Sequence, residues 1–255
     1  MSLSLPTVDD EVIGMNLLGI LMLVFTLLLY TTSAALAGAI MSNTAYETPL
    51  VILGDGSAPV AMVLGGVHGN EPAGSLAAQQ LTQAKVLKGT LIIVPQVNKL
   101  ALDKNIRTLD SIGDINRQYN EQQTNMPSKQ IAKQIIEIMK KHHVSMLIDL
   151  HEARTFHKQD NSSLGQLILP TMNDKSAMLA LDAVEHINKT IEKGYKQFGY
   201  GPYPLPDSAA YYAGKTLKIT AFTLETSSQN ELSERVRQHY IITKYLLAAE
   251  GVVLE

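Results

Sequence analysis

The 255-residue chain has no cysteine, which excludes disulfides, thiol nucleophiles and thiolate metal ligands. Any metal site here must be built from histidine and carboxylate. Clusters of lysine and arginine are also missing, and the net charge is −3, so the composition points to no polyanion and no nucleic-acid partner. Internal repeats and low-complexity segments are absent. Between Ile13 and Tyr46 there is no charged residue at all, and Leu17 to Tyr30 is almost continuously apolar.

That apolar run is shorter than the ~20 residues of a comfortable membrane span, although Thr31 to Ile40 extends it. The small residues from Thr31 to Ala37 end in Ala35-Leu36-Ala37, an Ala-x-Ala pattern of the kind signal peptidase cuts. Upstream, residues 1–16 carry Asp9, Asp10 and Glu11 and no base, which fits a signal poorly; a start at Met15 would remove that misfit. Three readings follow: a cleaved signal, a retained anchor with membrane association, or a buried helix. The first two mean export to a periplasmic or other extracytoplasmic location, and residues 1–40 are assigned to that segment. Cleavage after Ala37 would remove three acids and no bases, leaving a nearly neutral domain over residues 45–255.

With 45% hydrophobic residues the chain can bury one sizeable core, and one domain is expected. Leu50 to Leu53 and Ala58 to Val67 read as strands around the turn Gly54-Asp55-Gly56. The second strand runs into Gly65, Gly66, His68, Gly69 and Glu71, with a helix from Pro72 to Ala84 behind. Imidazole and carboxylate three residues apart can close on one zinc ion, and the glycines would let a ligand approach the backbone. The spacing alone is weak; its place at a strand's carboxyl end strengthens it.

Thr90 to Val97 predicts a third strand. Asn98 to Asn125 reads as a long irregular loop carrying Arg107, Asn116 and Arg117. Either it is a solvated loop, or Asn116 and Arg117 form a carboxylate clamp, for which a guanidinium fork is well shaped. A helix over 128–142 buries Ile131, Ile135, Ile138 and Met139, and ends in His142 and His143, which read as structural. Val144 to Leu150 predicts a fourth strand that delivers Asp149, His151 and Glu152. His151 becomes the third ligand of a His68, Glu71, His151 set. Asp149 shares its face and is a candidate partner behind it, whereas Glu152 points to the other face.

Leu164 to Leu169 predicts another strand, followed by a helix over 175–193 with Met178, Leu181, Val184, Ile187 and Ile191 inward. The loop from Gly199 to Asp207, with Tyr200, Tyr203, Tyr211 and Tyr212 in or near it, could rim a pocket. Thr220 to Leu224 is the last apolar strand and ends at Glu225; a carboxylate there is paired or catalytic, since burying it alone is costly. A closing helix over 231–249 has Asn230 as its expected N-cap.

His68-x-x-Glu71, Asp114-x-Asn116-Arg117, Asp149-Leu150-His151 and Leu224-Glu225 come in this order, each at or near a strand end. The set resembles the zinc carboxypeptidase superfamily, most closely its succinylglutamate desuccinylase/aspartoacylase branch, from about residue 59 to 250. The resemblance implies a single α/β domain with a mixed, mostly parallel central sheet flanked by helices on both faces. It also implies one zinc ion on His68, Glu71 and His151. Glu225 would be general base and acid, Arg107 would polarise the scissile carbonyl, and Asn116 and Arg117 would bind the substrate carboxylate. The substrate is then a small peptide or an N-acyl amino acid. Only one helix follows Glu225, where members acting on N-acyl amino acids usually carry a capping β-rich domain. With export, this favours a carboxypeptidase-like enzyme over a deacylase; a non-catalytic binding module is the alternative of another class.

Overall fold

The structure is a computed structural model and describes residues 36–255. The expected signal or anchor falls outside the described residues except at its end, where 36–40 form a strand. The strands are β1 (Leu36–Ile40), β2 (Thr48–Gly54), β3 (Val60–Gly65), β4 (Val86–Lys88), β5 (Thr90–Val94), β6 (Met146–Ala153), β7 (Leu167–Pro170), β8 (Gly199–Tyr200), β9 (Thr220–Ser227) and β10 (Val253–Leu254). The helices are α1 (Pro72–Leu81), α2 (Lys99–Lys104), α3 (Pro127–Lys141), α4 (Asp174–Asn188), α5 (Ala209–Lys215) and α6 (Leu232–Glu250).

Eight strands form one sheet in the order β1-β2-β5-β3-β6-β9-β7-β8, and β10 pairs with β4 apart from it. The central strands β5, β3, β6 and β9 run parallel, with β2 and β7 antiparallel at their flanks. The expected mixed, mostly parallel sheet is therefore present.

Side chains alternate along each strand, so β3 sends Ala61 and Val63 to one face and Met62 and Leu64 to the other. The first face is covered by α1, α4 and α6 through residues such as Ala77, Ala183 and Leu246. The second is covered by α3 and α5 through Ile131, Ile135, Ala209 and Ala213. Strands buried on both faces are nearly continuous apolar runs, which is why the sequence marked them. Among the described residues, no helix is long and apolar enough to cross a membrane.

Several local expectations need correction. The stretch from Asn98 to Asn125 is not irregular throughout, because it holds α2 and a 3-10 turn over Ile115–Arg117. The side chain of Asn98 caps α2 by accepting from the Ala101 N–H at 3.3 Å. In α4, Met178 and Leu181 are 60% and 50% exposed, whereas Ala180, Ala183 and Ile187 face the core. The small residues let α4 lie close to the sheet, and the long ones are left on the solvent side. The closing helix begins at Leu232, so Glu231 rather than Asn230 stands at its N-cap.

Candidate metal centre

β3 ends at Gly65, and the chain turns through Gly66, whose φ of +69° suits glycine, to reach His68. At Gly69 an added Cβ would lie 2.0 Å from the carbonyl carbon of Ala101. This glycine therefore lets α2 close over the turn; it is not, as the sequence suggested, an opening for a ligand. Glu71 stands at the N-cap of α1, with Pro72 as first helical residue, where its missing N–H costs nothing. From there the Glu71 side chain turns away from the helix and into the site.

Ligand atoms of His68, Glu71 and His151 lie within 4.8 Å of one another, and all three residues are buried. His68 Nδ1 is 2.8 Å from Glu71 Oε1, and His151 Nδ1 is 2.9 Å from Glu71 Oε2. His68 Nδ1 nevertheless makes no hydrogen bond of acceptable angle. A buried imidazole nitrogen 2.8 Å from a carboxylate oxygen, with no well-angled hydrogen bond to it and a second imidazole beside them, fits a cation with nitrogen and oxygen ligands such as zinc.

A carboxylate stands behind each histidine. Asp114 Oδ1 lies 3.2 Å from His68 Nε2, and Asp149 Oδ2 lies 3.1 Å from His151 Nε2. Such partners fix ring orientation and raise ligand basicity. Asp114 belonged to a motif in the sequence, but its distance from residue 68 along the chain gave no sign of this contact. The guanidinium of Arg107 reaches Glu71 Oε1 at 3.2 Å and Asp114 Oδ2 at 3.5 Å. Burial works to raise the Glu71 carboxyl, but His151 and His68 outweigh it and hold the group well below the usual carboxylate range. For His151, burial opposes the charged ring, yet the Asp149 charge and the contact with Glu71 push its pKa well above the ordinary value. A metal ion entering here would displace that proton.

Glu225 lies directly across from His151 in the parallel β6–β9 pairing, so both project from the same face. Both strands continue past the ends expected from sequence, and Glu225 sits inside β9. Burial pushes its carboxyl up to about 8, with Glu71 and Asp149 adding to the rise and His151 and Arg107 opposing it. His68, Glu71, Arg107, Asn116, His151 and Glu225 all line one cavity of about 520 Å³. Arg154, Ser162, Ser163 and Ser228 extend its wall, none of them marked by the sequence.

Arg117 stands apart from this group. It is exposed, donates to the Asn116 carbonyl at 2.8 Å and does not line the cavity. The tyrosines considered for the pocket are elsewhere as well: Tyr203 and Tyr211 line a separate cavity, Tyr200 is exposed and Tyr212 is in the core. The loop from Gly199 to Asp207 does rim the candidate cavity, as expected, but through the apolar Leu205 and not through a tyrosine.

Residues 57–240 match the family model described as succinylglutamate desuccinylase/aspartoacylase catalytic domain. No curated protein matches the chain by sequence. Among solved structures, Helicobacter pylori Csd4, described as a D,L-carboxypeptidase in its mDAP-bound form, is 23% identical with a TM-score of 0.71, over 78% of this chain and 52% of that one. The chain thus spans about half the length of the Csd4 structures. A succinylglutamate desuccinylase/aspartoacylase from Rhodobacter sphaeroides is 18% identical with a TM-score of 0.62, over 88% of this chain and 67% of that one. At these identities the likeness establishes a shared fold.

Proposed function

The chain belongs to the succinylglutamate desuccinylase/aspartoacylase catalytic-domain family, and from that premise we propose that it is a zinc hydrolase cleaving a peptide or amide bond beside a free carboxylate. The observation that carries this reading is the pairing of Glu225 with His151 across two central strands, in the cavity shared by all three candidate ligands. A binding module would have no use for a buried carboxylate at that place. A base does.

Bound by His68, Glu71 and His151, zinc would supply Lewis-acid polarisation and lower the pKa of a water from 15.7 towards ~7. Glu225 takes a proton from the attacking water and returns it to the departing amine. Arg107, held beside the cavity by Glu71 and Asp114, would turn a remaining guanidinium N–H to the scissile carbonyl oxygen as charge develops there. Asn116 is buried and lines the cavity, where its side-chain amide N–H would donate to the substrate carboxylate. Arg117 joins it on the substrate carboxylate only by swinging away from the Asn116 carbonyl.

Csd4 was solved with mDAP and with a tripeptide, which supports a peptide with a free carboxyl end as the substrate class here. The test is a panel of short peptides with free or amidated C-termini, run beside N-acyl amino acids. Peptide cleavage that requires the free carboxylate, stops with chelator and returns with zinc is the expected result. Turnover of N-acyl amino acids alone would make the protein a deacylase. Inertness of zinc-loaded protein on both sets would leave a binding module.

We also propose export, supported by the uncharged run from Ile13 to Tyr46. Cell fractionation with intact-mass measurement reads this: recovery only in the cytoplasm at full mass would end the proposal.

A further inference from the structure

We propose that Glu152, together with Arg235, is a positioning residue for the metal centre: it caps α1 in place of Glu71 and so leaves Glu71 free to face the ion. The inference rests on the metal reading above. An N-cap side chain ordinarily accepts a hydrogen bond from the N–H of the second or third helical residue. Glu71 occupies the N-cap of α1 and makes no such bond. Its oxygens are engaged elsewhere, Oε1 with His68 and Arg107, and Oε2 with His151 and the Glu152 N–H at 3.1 Å.

The donor left over is met from the neighbouring strand. Ala73, the second residue of α1, donates its N–H to Glu152 Oε1 at 2.6 Å. Glu152 Oε2 accepts from Arg235 of α6, so the carboxylate is paired. Its side chain is only 2% exposed, a depth at which an unpaired charge would be expensive. A carboxylate at a helix N-terminus is also favoured by the helix dipole. Strand alternation places the Glu152 side chain on the α1 and α6 face, opposite His151. Glu152 therefore reaches Glu71 by two routes: directly through its own N–H, and through the helix whose first turn its carboxylate holds. Releasing that turn lets the Glu71 backbone move, and the ligand moves with it.

The test is the zinc dissociation constant, measured by competition with a chromophoric chelator, with thermal unfolding followed in parallel. Glu152→Ala should weaken zinc binding by about tenfold or more, the usual scale for losing a group that orients a ligand. Glu152→Gln keeps an oxygen for the Ala73 N–H and should bind within about threefold of wild type. A purely structural role would lower the melting temperature and leave the zinc affinity of the folded protein unchanged. Affinity of Glu152→Ala within about twofold of wild type would overturn the proposal. If that variant does not fold, Glu152→Asp takes its place with the same expected and overturning results, since the shorter arm withdraws the carboxylate from Ala73. Wild type that binds no zinc would be a separate failure, of the metal reading itself, and the inference would fall with it.

Discussion

Glu225→Gln is expected to keep its zinc and lose turnover by about 10²–10⁴-fold, the range that a positioned acid–base group contributes. The amide has nearly the same shape as the carboxylate and fits the same space opposite His151, so the sheet and the ligand set should be undisturbed. What it cannot do is accept the proton of the attacking water. The measurement is turnover at saturating peptide, with zinc content determined on the same preparation. Near-normal turnover would remove Glu225 from the mechanism.

The same variant makes a second, independent reading through pH. Burial raises the Glu225 carboxyl to about 8 from an ordinary value of 4.5. Between those values the native state of metal-free protein keeps a proton that the unfolded chain has released, so stability contributed by this group falls as pH rises from about 4.5 to about 8. Glutamine does not titrate. Denaturation of chelator-treated protein should therefore show a shallower loss over that window in Glu225→Gln than in wild type, and identical slopes would contradict the assigned environment.

His151→Ala should lose zinc and, with it, essentially all hydrolysis. The ring is buried between Glu71 and Asp149, touching one with each nitrogen. Removing it leaves two buried carboxylates without their shared partner, a change that typically costs about 3–5 kcal/mol when a buried pair is broken. A lower melting temperature is thus part of the expectation, and zinc content has to be read on the folded fraction. Wild type holding about one zinc per chain beside an empty variant would establish the ligand. A variant that retained zinc with unchanged affinity would remove His151 from the set.

Local pattern carried much of this into the sequence. The buried strands are apolar on both faces, so their runs stood out, and the alternation within β6 correctly separated Asp149 and His151 from Glu152. His68 and Glu71 were legible because one turn at the end of β3 brings them together. Their burial side by side is consistent with that reading. Errors arose where packing overrode pattern. Met178 and Leu181 have the right spacing for a core stripe, but the alanines two positions on, Ala180 and Ala183, take the inner face of α4. The short helix α2 has too few residues to show a period, and its close approach to Gly69 could not be inferred from either segment alone.

The sequence by itself determined which ligand types a metal site in this chain could use: without cysteine, the candidates are histidine and carboxylate, and His68, Glu71 and His151 stood out at or near the ends of apolar runs. Only the tertiary structure decided which residues stand around them. Strand register set Glu225 beside His151, a loop returning from β5 brought Asp114 and Arg107 to His68 and Glu71, and α6 supplied Arg235 to Glu152. Spacing reports contacts that the local backbone geometry enforces. Contacts between residues far apart in the chain depend on how sheet and helices pack, and that is settled only when the whole core closes.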